Sequence, residues 1–180
     1  MLAALVCFGL LGNALLDDRT PVDAAAANQG PAVEGGADAA SGHAESDVPA
    51  PRIGEVAADG NFNFVVAGVE CGVTTIGGEH FNATAQGQFC IVALTVTNIG
   101  DQAQSFWGDN TVLLNDQGQE FSADTSAALY LEDSASFHEE INPGNSLNSR
   151  VVFDVPTGMV PAAIELHDSA FSGGVTVLLR

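Results

Sequence analysis

Five groups of residues in this 180-residue chain have the types and spacing for chemistry. Cys71 and Cys90 can join as a disulfide, remain as two buried thiols, or hold a zinc ion with His80, although zinc sites favour tighter ligand pairs. His138-Glu139-Glu140 opens like the zinc-protease pattern H-E-x-x-H, but position 142 is Asn, so the second histidine is missing. Asp124, Glu132, Asp133, Glu139 and Glu140 carry the carboxylate oxygens that calcium takes. They lack the D-x-[DN]-x-[DN]-G spacing of a calcium loop, and a solvated acidic loop is the preferred reading. His167-Asp168-Ser169 has the letters of a hydrolase triad, yet adjacent residues at a strand end point to different faces. Asn82-Ala83-Thr84 matches a glycosylation sequon, a three-residue pattern that arises often by accident. No catalytic residue and no cofactor are expected.

Charge narrows the partners. The chain has 23 Asp plus Glu against 4 Lys plus Arg, a formal charge of -19, and no lysine at all. Duplex binding draws on Lys and Arg to neutralise phosphates, so nucleic acid is not expected as a partner. An anionic bilayer surface is disfavoured for the same reason. Seven of the acidic residues fall in 17–52 and 16 in 53–180, where only Arg150 and Arg180 oppose them, leaving that segment at about -14. Such a surface keeps a domain soluble by self-repulsion.

The elements that must position these residues begin with a leader. Residues 1–16 (MLAALVCFGLLGNALL) carry no charge and end at Asp17-Asp18. As a helix they would reach about 24 Å, short of a hydrocarbon core of about 30 Å. The run therefore reads as a signal peptide or a membrane-anchor segment, with Cys7 an apolar filler and Ala25 and Ala27 a small-x-small cleavage pattern. No Lys or Arg precedes it, which points to a start lying inside a longer segment. Residues 17–52 are almost entirely Ala, Gly, Pro, acidic and small polar residues, with Val22, Val33 and Val48 as the large apolar side chains. They cannot compensate the entropy of ordering, so a disordered acidic linker is expected, with His43 inert within it.

From Ile53 the period changes to two. In Gln88–Asn98, Cys90, Val92, Leu94 and Val96 share one face, which marks a central strand. In Asn61–Val73, Phe62, Phe64 and Val66 alternate, then Val69, Cys71 and Val73 take over one register later, so a bulge is expected near Gly68. Thr111–Asn115 and Glu120–Ala123 flank the turn Asp116-Gln117-Gly118, and Ser149–Val155, Ala163–His167 and Val175–Leu179 complete the strands. Ser126–Leu131 reads as one helical turn bridging the sheets, and Trp107 as a core anchor or an exposed contact residue, with the core favoured since aromatics bury large areas. About seven short strands without helical periodicity indicate an antiparallel β-sandwich over 53–180. Cys71 and Cys90 lie on the inward phase of successive strands, and the exported setting permits oxidation, so a disulfide is predicted.

The runs AQGQFCIVALTVTNIGDQAQSF (85–106), LNDQGQEFSAD (114–124), SFHEEINPGNS (136–146), VVFDVPTG (151–158) and ELHDSAFSGGVTV (165–177) resemble one family. It is the uncharacterised immunoglobulin-like domain of secreted or membrane-anchored Gram-positive, mainly actinobacterial, proteins, related to the mycobacterial immunoprotective extracellular protein. The resemblance covers residues 60–180 in order and implies an immunoglobulin-like sandwich outside the cytoplasm. Paired cysteines like Cys71 and Cys90 recur in that family, and it supplies no activity, ligand or catalytic residue to carry over. The expected function is a non-enzymatic, exported interaction module for an unknown envelope or extracellular protein or ligand. Its contacts are sought in edge strands and in the loops 77–87, 124–145 and 168–174. The alternative is a calcium- or other metal-binding envelope protein using the acidic loop 124–140; an envelope hydrolase ranks third.

Overall fold

Alternation from Asn61 onward produces long antiparallel strands. The computed structural model describes residues 49–131 and 139–180. The leader, most of the linker, Glu132, Asp133 and His138 lie outside the described residues. The strands are β1 (Val56–Asp59), β2 (Phe62–Gly77), β3 (Asn82–Asn98), β4 (Gln104–Phe106), β5 (Thr111–Asn115), β6 (Glu120–Ser122), β7 (Glu139–Ile141), β8 (Ser146–Val155), β9 (Pro161–Leu166) and β10 (Val175–Leu178), with a short helix α1 (Thr125–Ala128) after β6. One sheet runs β1-β2-β3-β8, the second β10-β9-β5-β6, and β4 pairs with β7 as a separate ribbon. Every named pairing is antiparallel. The molecule is the expected β-sandwich.

The core lies between the sheets. Phe62, Phe64 and Val66 from β2, Cys90, Val92, Leu94 and Val96 from β3, and Val151, Phe153 and Val155 from β8 meet Leu113, Ile164, Leu166 and Val177 of the second sheet. Each such side chain, taken from water, contributes on the order of 1.5–3 kcal/mol before chain entropy is set against it. The ribbon adds Phe106 and Ile141, and the Phe106 ring meets Phe62 edge-on at 6.3 Å between centroids. The anticipated bulge is present, with the β2–β3 register shifting between Val66 and Gly68.

A second shift corrects the expected phase. Gly72 adopts φ 89, and the register shifts again between Cys71 and Val73. Val73 is thereby turned to the outer face, where it packs with Ile76, Phe89, Val152, Ala127 and Ala128. Helix α1 therefore covers the outer face of the first sheet rather than filling the space between the two. The Asp124 carboxylate caps it by accepting from the Ala127 amide at 2.8 Å, and the Asp124 amide donates to the Val152 carbonyl at 2.7 Å. Cys71 and Cys90 are bonded, directly opposite each other in the β2–β3 ladder with Cα atoms 4.1 Å apart. The bond staples one hairpin of one sheet and leaves neither sulfur to hold a metal with His80, which is exposed.

Candidate functional site

Strand alternation builds one wall of the site. Phe106 is 1% exposed and held among Phe62 and Phe64, so the next residue must leave the core. Trp107 is accordingly 45% exposed, against the favoured reading of a core anchor and in line with the alternative of an exposed residue. A 3-10 turn, Gly108–Asn110, follows it directly, fixed by the Asn110 amide on the Trp107 carbonyl at 3.1 Å. The buried Thr111 hydroxyl donates to Gly108 at 2.6 Å and closes the same turn. Sequence reading assigned Trp107 by residue type; the signal that would have placed it is its position one step after an inward phenylalanine.

The polypeptide leading into this wall is fastened by one buried amide. Asn98 is 0% exposed, and its Nδ2 donates to the Gln102 and Ile141 carbonyls, each at 2.7 Å. Its Oδ1 accepts from the Gly100 amide at 2.8 Å. This side chain ties the β3–β4 loop to β7, so that Gln104 and Trp107 present a fixed edge.

The facing wall is the β9–β10 loop. His167 Nε2 lies 2.8 Å from Glu165 Oε1, and Nδ1 lies 3.3 Å from the Ser172 hydroxyl, which also donates to the Ser169 carbonyl at 3.1 Å. The His167 ring packs over Gly174 (φ 72), leaving 2.5 Å to where a Cβ would stand. Asp168 does not join them. Its carboxylate accepts from the Asn61 amide at 3.1 Å, while its own amide donates to Asp59 at 2.8 Å, a reciprocal lock between this loop and the β1–β2 turn. Thus His167, Asp168 and Ser169 are not assembled as side chains, as the different faces of adjacent residues implied; Glu165 and Ser172 take the places next to the imidazole. Phe171, at the loop tip, is 98% exposed.

Between the walls lies an open groove of about 540 Å³, lined among others by Gln104, Trp107, Asp109, Asn110, Asp168 and Phe171. His167 and Ser172 are not part of its lining. The groove offers two aromatic faces, two amides and two carboxylates, a set able to stack on and hydrogen-bond to a ligand. Two smaller clefts border the Pro156–Val160 turn, at the opposite end of β9.

The calcium candidates do not converge where they can be followed. Asp124 caps α1 beside Val152, whereas Glu139 and Glu140 are exposed on β7, opposite Phe106 and Ser105 of β4. Among the described residues no group of three His, Cys, Asp or Glu is placed to hold a metal ion. Glu132 and Asp133 fall outside the described residues. In the sequon, the Asn82 side-chain amide donates to the Gly78 carbonyl at 3.1 Å across the hairpin tip. Of the loops singled out from sequence, 82–87 continues β3, while 168–171 lines the groove.

The family described as "Domain of unknown function (DUF4352)" matches residues 51–176. Among solved structures the chain is similar to the yjhA protein from Bacillus subtilis, at 15% identity and TM-score 0.52, covering 72% of this chain and 99% of that one. It is similar to the secreted protein MPT63 from Mycobacterium tuberculosis, at 15% identity and TM-score 0.52, covering 74% and 99%. It is also similar to a conserved hypothetical protein from Bacillus anthracis, at 14% identity and TM-score 0.51, covering 69% and 94%. At these identities the likeness is one of fold. No curated protein sequence matches the chain.

Proposed function

We propose that this chain, which belongs to the DUF4352 family of domains of unknown function, is a non-enzymatic interaction module that works outside the cytoplasm, secreted or anchored to the envelope. The observation that carries the reading is the groove itself: two aromatic side chains, Trp107 and Phe171, stand exposed on facing walls of an otherwise acidic surface. Exposed aromatics on a rigid scaffold are what contact surfaces are made of. The Cys71–Cys90 bond supports an oxidising compartment, where such bonds persist. One protein of the same fold, from Mycobacterium tuberculosis, is described as secreted, and a relation to such actinobacterial proteins closer than the shared fold is part of this proposal.

The non-enzymatic part is supported by the way His167 is engaged. Its two nitrogens face Glu165 of β9 and Ser172 of the loop that follows, its ring lies on Gly174, and the groove does not reach it. A general base needs access to a substrate proton, and this imidazole serves as a clasp of the loop instead. The net charge of -19 supports a partner other than nucleic acid. The test is photo-cross-linking in intact cells, with a photoreactive residue placed at position 171 or, as control, at 117 in the β5–β6 turn. A discrete adduct from 171 and none from 117 is the expected result. No adduct from either position would refute the module reading.

A further inference from the structure

We infer that the groove between Trp107 and Phe171 receives a cationic side chain, Arg or Lys, from an extended segment of a partner polypeptide. This rests on the interaction-module reading and adds the chemistry of its ligand. Four carboxylates mark this end of the sandwich: Asp59 at the end of β1, Asp101 in the β3–β4 loop, Asp109 in the 3-10 turn and Asp168 in the β9–β10 loop. The surrounding segments 59–61, 99–110 and 167–174 contain no Lys or Arg. Two of the carboxylates are aimed by backbone amides, Asp59 by that of residue 168 and Asp168 by that of residue 61. Asp101 and Asp109 have no ion-pair partner among the described residues.

The positive charge of the domain lies elsewhere. Arg52 forms a bridge to Leu178 and reaches the Arg180 carbonyl at 2.6 Å, and Arg180 approaches Asp116, all at the end of β10 remote from the groove. Arg150 is on β8, opposite Ala93. Among the described residues the groove end thus has no Lys or Arg to compensate its acidity, and a cation is what its field attracts. Trp107 supplies the second component, an electron-rich ring face that favours a guanidinium or ammonium, and Arg can at once stack on it and donate to a neighbouring carboxylate. Phe171 on the opposite wall provides apolar surface for the aliphatic stem or for a neighbouring side chain. A groove of about 540 Å³ takes one or two side chains rather than a broad surface, so the contact belongs to the small, transient class.

Trp107 is the single tryptophan of the chain, so its fluorescence reports on the groove directly. The oxidised domain would be titrated with a blocked peptide Gly-Leu-Arg-Arg-Leu-Gly, its counterpart with Gln in place of Arg, and the neutral oligosaccharide chitotetraose. Expected is a saturable change with the Arg peptide alone, weakened several-fold between about 50 and about 500 mM salt as screening shortens the reach of the carboxylates. Asp109→Asn and Phe171→Ala should each weaken it about fivefold or more, corresponding to about 1 kcal/mol. Asp116→Asn, at the far end, should leave it unchanged. Phe171 is 98% exposed, so its removal does not put folding at issue. Equal binding of the Gln peptide, or saturation by the oligosaccharide and not by the Arg peptide, would overturn the cationic assignment. If no probe binds while the position 171 adduct persists in cells, the cationic assignment alone fails; if that adduct is absent too, the underlying reading fails with it.

Discussion

Asn98 is the residue whose replacement tests the architecture of the site most sharply. Of its three side-chain hydrogen bonds, the one to the Ile141 carbonyl is fully buried, and those to the Gln102 carbonyl and from the Gly100 amide are only partly so. Asn98→Ala takes from the Ile141 carbonyl a buried donor that water does not replace, at a cost of about 2 kcal/mol, while the two partly solvated groups lose about 0.5–1 kcal/mol each. The expected loss is therefore about 3–4 kcal/mol, or a melting temperature lower by on the order of 10 °C for a domain of this size. Asn98→Asp separates this account from simple loss of volume. The carboxylate retains an acceptor for Gly100 but turns a charge toward two carbonyl oxygens in a buried site, so it should destabilise more than alanine at neutral pH. Denaturant unfolding, followed by circular dichroism and by Trp107 fluorescence, measures both variants against the parent. Alanine within about 1 kcal/mol of the parent, or aspartate as stable as the parent, would refute the reasoning.

Three further outcomes follow from the same structure. Cys71 and Cys90 are 19 residues apart, and reduction, or the double variant C71A/C90A, should lower stability by about 3 kcal/mol in the chain-entropy account, read as a shift in the denaturation midpoint. The Ser149 hydroxyl is buried without a hydrogen-bond partner among the described residues, so Ser149→Ala should be neutral or stabilising by up to about 1 kcal/mol, in contrast with the usual core truncation. Addition of millimolar calcium should leave the thermal midpoint unmoved, because Asp124 is engaged as a helix cap apart from Glu139 and Glu140; a clear rise would restore the acidic loop as a metal site.

Legibility in the sequence followed the strictness of the local pattern. β3 could be read because Cys90, Val92, Leu94 and Val96 alternate without interruption, and the structure buries all four. Val73 could not, because Gly72 adopts a positive φ that moves it to the other face, and glycine marks permission for such a turn without requiring it. β4 and β7 have three residues each and find one another across the whole β5–β6 hairpin and α1, so neither has a period long enough to register. The groove depended on Trp107, where residue type argued for burial and strand phase argued for exposure, and phase prevailed. Glu165 and His167 offered a readable clue, since positions two apart share a strand face. Ser172 offered none, as it returns to the imidazole only through the closed loop.

Strand β3 pairs on one side with its immediate neighbour β2, but on the other with β8, from Thr97 with Ser146 to Gln88 with Val155. During synthesis the hairpin and its two cysteines emerge well before that second partner. Thiol oxidation and closure of the sandwich are therefore separable in time, and the hairpin can be cross-linked while one of the four strands of its sheet has yet to appear. Until Ser146–Val155 arrives, the apolar edge around Phe89 and Ile91 stands open, the kind of surface a holding chaperone protects and an aggregate exploits. The slow step in producing this domain is then the return of a distant strand, and the yield of folded protein should depend on how long that edge is kept from other chains.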